Sequence, residues 1–588
     1  MRGGLRMDLN YTSEKNVQML IALMKAHNIK KIIASPGNTN VTFVGSVQQD
    51  SFFEVYSCVD ERSAAYMACG LAAESNEPVA ISCTGATASR NYIPALTEAY
   101  YRKLPVLAIT STQQIGRIGQ LVPQVIDRSV IQKDIALLSV HIPLIHTEED
   151  AWSCNVKLNN ALLELSHNGG GPVHINLETD YNKDFSVRVL PEYRVIHRIC
   201  DYDNIPAIKG SRVGIFCGSH RIWDKKLTEQ VDKFCENYNG VVFCDHTSNY
   251  HGKYRIDFAL LNAQGEYTCS IRNMDLLIDI GEMSGAYFYF NPENVWRVNI
   301  DGELKDTWKK LKNIFQMREI DFFRKCNEQN KDDKCNIEYF NECKQKDEYL
   351  RNRFEQLPFS NIWMAKQLST KIPDNSVMHF AILNSLRSWN FFKLSPSIDC
   401  YSNTGGFGID GIMSTIVGAA LVNDKLHYCI TGDLAFFYDM NSIANKNVKN
   451  NLRILLINNG CGIEFKNYNH FAALFKDDAD DYIAAKGHNG KRSHQLVKNY
   501  VTDLGFEYLS ADNKDEFIHN MQRFVTTDIT DRPILFEVFT SDVEESNALK
   551  QVNEMIADKQ TITKLAKSMA KDVIGEKNVN KIKKIIRG

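Results

Sequence analysis

Short apolar runs alternate with longer stretches of helical periodicity along most of the chain. From residue 7 to residue 184 the apolar runs end at Gly, Ser or Thr and read KIIASPG, PVAISCTG, LPVLAITS and GPVHINL. Uniformly apolar strands are typical of a parallel sheet that helices cover on both faces. Stretches such as ERSAAYMACGLAAES lie between the runs and favour helices. The pattern therefore predicts a doubly wound parallel sheet.

The same pattern occurs twice more. Residues 196–318 contain RVGIFCG, GVVFCD, MDLLIDIG and VWRVNID, and residues 358–542 contain SVMHFAI, HYCITGD, LRILLINN and PILFEVF. Three blocks of similar size suggest related tandem domains, although no clean sequence repeat connects them. We therefore expect an α/β fold with three tandem doubly wound parallel-sheet domains and a helical C-terminal tail.

The domain boundaries follow from changes in composition. We expect a first domain at 8–185, a middle domain at 195–320, a charged surface linker with helical character at 321–357, a third domain at 358–545 and a basic helical tail at 546–588. From residue 547 to the end there are ten Lys or Arg residues against four Asp or Glu. The segment reads as helical, and we interpret it as a solvated helix packed on the third domain, with a polybasic docking segment as the weaker alternative.

The composition excludes several classes of protein. The formal net charge is -3, which gives no electrostatic basis for binding nucleic acid or an acidic membrane surface. No apolar run approaches the roughly 18 residues of a membrane span, and the first residues lack an apolar signal region. The 15 cysteines include no C-x-x-C pair, so we expect reduced thiols, no zinc site and a cytoplasmic location.

Polar residues follow two successive apolar strands in the third block. One predicted strand ends at Gly432 and Asp433, and the next ends at Asn458, Asn459 and Gly460. The carboxyl ends of parallel strands are where ligands bind, so Asp433 and Asn459 are expected to meet there. A carboxylate, an amide oxygen and a backbone carbonyl near Cys461 suit Mg²⁺, which takes its other ligands from phosphate. The segment therefore predicts a magnesium diphosphate site, with ordinary turn chemistry as the alternative.

A competing motif lies just upstream. Gly406, Gly408 and Gly411 form a G-x-G-x-x-G pattern, and Asp433 follows where a ribose-binding acid would lie. This arrangement favours an NAD(P)-dependent oxidoreductase as the alternative of another class. Two features oppose it: the preceding DCYSNT is polar, and NAD binding does not require the Asn-Asn strand end.

Glu61 is the third feature of the sequence that suggests chemistry. It lies in VDERSAAY at the start of a predicted helix, where the helix dipole stabilises an acid without any catalytic role. The functional interpretation is a buried carboxylate that hydrogen-bonds a basic heterocycle nitrogen.

Together these segments resemble thiamine-diphosphate-dependent enzymes, especially the 2-succinyl-5-enolpyruvyl-6-hydroxy-3-cyclohexene-1-carboxylate (SEPHCHC) synthases. The resemblance spans nearly the whole chain and is weakest in the middle block. Besides the Glu61 helix and the GD…NN segment, it rests on SPG at Ser35, TGATASRNYIPALTEA at Thr84, GPVHINL at Gly171, NSL at Asn384 and SNTGGFGIDGIMST at Ser402.

The resemblance implies thiamine diphosphate and Mg²⁺ as cofactors. The first domain would bind the aminopyrimidine and the third the diphosphate, with each site between subunits of a homodimer or homotetramer. It implies Glu61 and Gln124 as catalytic residues, and Asp433, Asn459 and the Cys461 carbonyl as magnesium ligands. The residues implied to contact the cofactor are Pro36, Gly37, Glu61, Ser385, Gly406, Gly408, Ile409, Gly432, Asp433, Leu434 and Asn459. Leu434 replaces the third glycine of the commoner GDG form, as it does in the synthases.

The substrate site departs from the synthase pattern. Arginines of that family are replaced here by Thr39, next to Asn38, and by Thr404 and Trp389. Those arginines bind carboxylates, so their loss predicts a less acidic acceptor than isochorismate. Three other arginines are candidates to bind a single carboxylate: Arg117, Arg128 and Arg387.

We therefore expect a carboligase that decarboxylates a small 2-oxo acid donor and transfers the acyl unit to an acceptor. The alternative within enzymes is a 2-oxo acid decarboxylase that releases an aldehyde, but the His pair typical of pyruvate decarboxylases is absent from residues 110–130. A catalytically silent protein of the same fold is a third possibility, against which Glu61 argues. His470 is interpreted as a solvated loop histidine rather than a pocket base. The middle domain shows no flavin motif, and FAD is not expected.

Overall fold

The computed structural model describes residues 10–128, 130–330, 337–488 and 493–556. The chain divides into two compact units. The first contains residues up to Cys200 together with Gly302–Gln316, and the second contains Asp201–Asp301 and residues from Met317 onward. Most of the predicted basic tail, from residue 557, lies outside the described residues.

The strands fall into the three predicted blocks. In the first block they are β1 (Lys31–Ala34), β2 (Glu54–Ser57), β3 (Val79–Thr84), β4 (Val106–Thr112), β5 (Leu138–Ile142) and β6 (Val173–Glu178). The middle block has β7 (His197–Cys200), β8 (Val213–Cys217), β9 (Gly240–Cys244), β10 (Arg255–Asp257), β11 (Asn273–Ile280), β12 (Asn291–Asn299) and β13 (Leu311–Gln316). The third block has β14 (Val377–Phe380), β15 (Asp399–Ser402), β16 (His427–Gly432), β17 (Leu452–Asn458), β18 (Glu507–Ala511) and β19 (Ile534–Phe539).

Helices connect the strands throughout. The first block has α1 (Lys15–Ala26), α2 (Val41–Val47), α3 (Glu61–Ser75), α4 (Ala86–Asn91), α5 (Ile93–Arg102) and α6 (Glu148–Glu164). The middle block and the segment after it have α7 (Lys225–Tyr238), α8 (Phe258–Asn262), α9 (Cys269–Arg272), α10 (Glu319–Gln329) and α11 (Glu338–Arg351). The third block has α12 (Asn361–Leu368), α13 (Asn384–Trp389), α14 (Ile412–Ala420), α15 (Asp433–Asp439), α16 (Leu496–Asp503), α17 (Lys514–Phe524) and α18 (Asp542–Asn553).

The first and third sheets share one topology. The first has the order β2-β1-β3-β4-β6-β5 and the third has the order β15-β14-β16-β17-β19-β18, with parallel pairing in both. The strand order of the first domain is therefore identical to that of the third, as expected for related tandem domains. In the middle block, β10-β9-β8-β11-β12 form a parallel sheet in the second unit, and β13 pairs in parallel with β7 in the first. The predicted α/β class with doubly wound parallel sheets is confirmed.

Both faces of the first sheet are buried. Alternate residues of β3 and β4 enter two separate apolar clusters: Val79, Ile81 and Ala108 join one, and Ala80 and Leu107 join the other. Side chains of a strand alternate between faces, so helices must cover both sides. The uniformly apolar strand sequences follow from this double burial.

The charged segment at 321–357 is packed rather than a surface linker. Its helical character is as predicted, but α10 buries Phe322, Phe323 and Cys326. In α11, Tyr339 and Cys343 are buried, and the Tyr339 hydroxyl donates to the Ile271 carbonyl. Apart from the buried Asp347, the charges of these two helices lie on their exposed or half-exposed faces, which is why composition alone suggested a solvated linker.

Candidate active site

Glu61 is the first residue of α3. The Asp60 side chain caps the helix by accepting a hydrogen bond from the Ser63 N–H at 2.7 Å. The Glu61 side chain is half-buried and accepts from Asn91 Nδ2 at 3.2 Å. The described chain thus offers a half-buried, hydrogen-bonded carboxylate at this position.

The carboxyl ends of β1, β3 and β4 converge beside this helix. The Thr39 hydroxyl donates to the Ser111 carbonyl at 2.8 Å and lies 2.6 Å from the Thr84 hydroxyl. A Cβ at Gly37 would lie 2.5 Å from the Thr84 Cβ, so only glycine fits this approach. Pro36 and Asn38 flank Gly37 and are exposed. The strand ends therefore form a compact edge at which Glu61 is presented.

The loop after β4 carries three of the predicted polar residues. Gln124 is exposed and has a left-handed backbone with φ of 65°. Arg117 is also exposed and donates to Gln113 Oε1 at 2.5 Å. Arg128 instead is buried, donates to Asn176 Oδ1 at 2.5 Å, and has its pKa lowered to about 10 by burial. Arg128 is therefore part of the packed interior, whereas Arg117 and Gln124 remain accessible.

The structure places Asp433 and Asn459 at adjoining strand ends. Asp433 follows β16 directly, is only 2% exposed, and accepts from the Gly460 N–H at 3.0 Å. Strand β16 pairs with β17, whose end leads into Asn459. Gly432 and the half-buried Leu434 flank the carboxylate. The geometry expected from the two strand ends is therefore present.

The chemistry of this edge suits a hard cation. Asn459 Oδ1 accepts from the Cys461 N–H at 3.2 Å, and burial raises the pKa of the Cys461 thiol to about 12. The thiol stays protonated at neutral pH, which leaves its backbone oxygen as the available ligand. Among the described residues no group of three His, Cys, Asp or Glu side chains could hold a metal ion. A cation here would use one carboxylate, one amide and one carbonyl, as Mg²⁺ does beside a phosphate.

The glycine-rich segment lies between β15 and α14. An added Cβ at Gly406 or Gly432 would meet open space, whereas one at Gly408 would lie 2.3 Å from Asp410 Oδ1. Gly411 begins α14 with φ of 84°, a left-handed conformation that favours glycine. Ile409 is half-buried against an apolar cluster of the third domain.

The strand that precedes this segment carries an unsatisfied polar atom. Ser402 Oγ, at the end of β15, is buried without a hydrogen-bond partner in the described chain. Together with Asp433 and Asn459, the edge fits an oxygen-rich group such as a diphosphate.

The predicted cofactor residue Ser385 and the predicted substrate residues Trp389 and Thr404 lie in the packed interior. Ser385 and Thr404 are buried, and Trp389 has no exposed surface. Trp389 packs against Phe380 and is not among the residues that line the adjacent cleft. Its burial therefore argues against direct contact with a substrate.

Arg387 lies on the cleft surface, but it is already engaged. It donates to Glu464 Oε1 at 2.5 Å and to the Tyr287 hydroxyl at 2.8 Å. His470 lines the same cleft and accepts from the Ala472 N–H. Glu464 and Tyr287 were not predicted, because Tyr287 lies in the middle block, where the resemblance is weakest. Glu464 lies five residues after Asn459, and this short separation from a predicted metal ligand is the one signal that could have identified it as a site residue.

Comparison with known proteins decides the family. Residues 15–132 match the model described as thiamine pyrophosphate enzyme, N-terminal TPP binding domain. The chain is 31% identical over 573 residues to the SEPHCHC synthase of Bacteroides thetaiotaomicron, covering 93% of this chain and 100% of that protein. The chain belongs to the SEPHCHC synthase family. It is therefore a thiamine-diphosphate-dependent enzyme.

Other members of the SEPHCHC synthase family give the same result. The synthase of Phocaeicola vulgatus is 29% identical over 573 residues, covering 92% of this chain and 98% of that protein. The synthase of Bacteroides fragilis is 30% identical over 565 residues, with the same coverage. Membership in the family argues against the dinucleotide interpretation of Gly406, Gly408 and Gly411. No helix among the described residues is both long and apolar enough to cross a membrane.

Proposed function

We propose that this protein uses thiamine diphosphate and Mg²⁺ to decarboxylate a 2-oxo acid and transfers the remaining acyl unit to an acceptor other than isochorismate. The observation that carries the proposal is that a chain of the SEPHCHC synthase family has one half-site in each of its two compact units. One half-site presents Glu61 at the start of α3, and the other presents Asp433 and Asn459 at adjoining strand ends.

The residues of the third domain would bind Mg²⁺ and the diphosphate of the cofactor. Asp433, Asn459 and the Cys461 carbonyl would hold Mg²⁺, and the open space over Gly406 and Gly432 leaves room for the diphosphate. When bound, thiamine diphosphate supplies the electron sink that makes loss of CO₂ from a 2-oxo acid feasible.

Two groups of the first domain would act on the bound molecules. The Glu61 carboxylate would hydrogen-bond a pyrimidine ring nitrogen and hold a proton there, as a general acid–base. The accessible Gln124 amide would orient the reacting substrate through hydrogen bonds. Of the two, Glu61 is the residue whose loss should abolish turnover.

The state of the three candidate arginines supports an acceptor other than isochorismate. Arg128 is buried, and Arg387 is bound by Glu464, so only Arg117 is exposed to solvent. A carboxylate binds tightly where an arginine can donate two N–H groups to it, and a single exposed arginine gives little such selectivity. This arrangement of arginines would accommodate one carboxylate, that of the 2-oxo acid donor.

Simple decarboxylation with release of an aldehyde is the second candidate. It would require a side chain that donates a proton to the acyl unit left by decarboxylation, and no histidine lies between residues 110 and 130. His470 lines the cleft of the second unit, but its Nδ1 accepts a backbone hydrogen bond. This arrangement favours ligation over protonation.

The proposed assembly is a homodimer or homotetramer with each site formed between two copies. The support comes from the division of the cofactor residues between two compact units of the chain. A closed, symmetric dimer would repeat the same contact twice and create two equivalent sites.

A product screen tests the proposed reaction. Purified protein with thiamine diphosphate and Mg²⁺ is incubated with single 2-oxo acids and a panel of aldehyde and ketone acceptors, and products are identified by mass spectrometry. We expect a ligated product together with CO₂. Glu61→Gln should lower its formation by at least about 10²-fold while cofactor binding persists.

Glu74→Gln is the matched control, because Glu74 is an exposed acid on the same helix. It should retain the wild-type rate. Release of free aldehyde without any ligated product would favour the decarboxylase instead, and unchanged turnover in Glu61→Gln would contradict the assignment of Glu61.

A further inference from the structure

A cavity of about 220 Å³ lies within the first domain. Its wall includes apolar side chains such as Leu96 of α5 and Ala108 of β4. Two arginines, Arg90 and Arg128, line it as well, and none of the described lining residues is acidic. Glu61 does not line it, so the cavity is separate from the proposed general acid–base. Two cations therefore share a partly apolar cavity without an acid among its described lining residues.

Arg128 is a buried cation without a charged partner in the described chain. It is only 4% exposed, and its guanidinium donates to Asn176 Oδ1 at 2.5 Å and to Ser89 Oγ at 3.3 Å, which are both neutral acceptors. Its Nε is buried and has no hydrogen-bond partner among the described residues. Burial lowers the pKa of Arg128 to about 10, so the side chain still carries its charge at neutral pH. An interior charge of this kind is unfavourable unless an opposite charge lies beside it.

Arg90 supplies a second positive charge at the same cavity. It is exposed, and its Nη2 donates to the Asp127 carbonyl at 2.8 Å. Both arginines act on His174, which also lines the cavity: burial, and then the charges of Arg128 and Arg90, lower the pKa of the imidazole to about 3. His174 is therefore neutral at neutral pH, and the positive charge at the cavity comes from the two guanidinium groups.

This lining suits a small tetrahedral dianion. Two guanidinium groups match the charge of a dianion, and each can donate N–H groups to its oxygens in charge-assisted hydrogen bonds. The Thr110 hydroxyl and the Gln132 amide also line the cavity and add neutral hydrogen-bonding groups. A water molecule takes about 30 Å³ of liquid volume, so the cavity has room for a four-oxygen ion and several waters. A monovalent carboxylate would leave one of the two arginines without a counter-charge.

We propose that Arg90 and Arg128 bind a tetrahedral dianion of the phosphate or sulfate class in this cavity. The site is independent of the proposed reaction, because it involves neither the cofactor nor a substrate. Arg128 and Gln124 pack against the same turn: a Cβ added at Gly85 would lie 2.8 Å from Arg128 Nη1 and 3.2 Å from the Gln124 carbonyl oxygen. A bound ion would therefore stabilise the segment that carries Gln124.

Isothermal titration calorimetry on the holoenzyme tests the site. Thiamine diphosphate and Mg²⁺ are present so that the diphosphate edge is filled, and sodium phosphate, sulfate and acetate are titrated separately at constant ionic strength. We expect phosphate and sulfate to bind once per chain, and acetate to bind at least about tenfold more weakly because it carries a single charge. Glycerol 3-phosphate separates two sources of the phosphate group: tighter binding than inorganic phosphate identifies a phosphate ester as the ligand, and weaker binding identifies the free ion.

Two variants locate the bound ion. Arg128→Met keeps much of the length of the side chain but removes its charge, and it should weaken phosphate binding at least about tenfold. Arg90→Gln changes an exposed residue and so keeps the fold, and it should weaken binding at least about threefold. Arg102→Gln is the matched control, because Arg102 is an exposed arginine at the end of α5 that does not line the cavity. It should bind phosphate as wild type does.

Hydrogen–deuterium exchange gives a readout that needs no substitution. Saturating phosphate should slow exchange in peptides that contain Arg90 or Arg128 and should leave exchange in α6 unchanged. Absence of saturable binding of phosphate and sulfate, wild-type affinity in both Arg128→Met and Arg90→Gln, or acetate binding as tight as that of phosphate would each overturn the proposal. Protection confined to peptides outside the first domain would overturn it as well.

Discussion

At the scale of single residues, desolvation controls the buried polar groups of the first unit. His174 is buried between two hydroxyls, with Nε2 2.7 Å from Thr110 Oγ1 and Nδ1 2.8 Å from Ser139 Oγ. Burial, with a further contribution from Arg128 and Arg90, lowers its pKa to about 3. The imidazole therefore stays neutral in the folded protein, although it becomes protonated in the unfolded chain below its ordinary pKa of about 6.5.

His174→Gln should flatten the acid dependence of stability. Because the unfolded chain binds a proton that the folded chain does not, wild type loses stability as the pH falls from about 6.5 towards 3. Between about pH 7 and about pH 5, we expect the loss in free energy of unfolding to be smaller by about 2 kcal/mol in the variant. Urea unfolding at the two pH values measures this difference.

His519→Gln provides the comparison, because His519 is exposed on α17. It should retain the wild-type pH dependence. A His174→Gln variant with the same loss of stability as wild type would show that His174 is protonated in the folded state.

The sequence predicted best those residues whose position follows from the elements directly before and after them in the chain. Asp433 follows an apolar strand directly, so its place at the sheet edge was predictable, and so was that of Asn459. Glu464 and Tyr287 belong to a contact between segments 177 positions apart. No local pattern encodes such a pairing, and the resemblance did not cover it.

At the scale of elements, helix α3 depends on its N-terminal cap to present Glu61. Asp60 accepts from the Ser63 N–H, and this hydrogen bond holds the pKa of the Asp60 carboxyl below its ordinary value. The cap fixes the first turn, which begins with Glu61 itself.

Asp60→Ala should therefore lower both the melting temperature and the turnover, because the first turn of α3 loses its acceptor. Asp60→Ser restores an acceptor of the preferred type and should recover both quantities. Thermal unfolding and product formation are measured for each variant. Wild-type turnover in Asp60→Ala would show that the cap does not position Glu61.

The predicted strands correspond to the inner strands of each sheet. The missed strands include β2, β5, β15 and β18, which are the edge strands of the first and third sheets and are only partly buried. Partially exposed strands contain polar residues and do not read as uniform apolar runs. DCYSNT is too polar for the hydrophobic strand that precedes a dinucleotide-binding motif, and its first four residues form β15.

At the scale of the whole molecule, exposed apolar side chains support assembly into a dimer. Val59, Tyr66 and Met67 are exposed around the start of α3, and Leu474 and Tyr482 are exposed in the second unit. Exposed apolar groups near proposed half-sites are typical of surfaces that a second subunit covers. A shared site between copies would bury them and bring Glu61 of one copy to the diphosphate edge of the other.

Complementation between two inactive variants tests this central claim most directly. Glu61→Gln and Asp433→Asn chains are prepared alone and as a co-expressed mixture, and exchange of the thiazolium C2 proton of added thiamine diphosphate is followed by NMR with Mg²⁺ present. Each variant alone should be inactive. The mixture should recover about a quarter of the wild-type rate, because half of randomly formed dimers are mixed and each has one intact site. A mixture that contains mixed dimers and remains inactive, or a fully active single variant, would contradict the account.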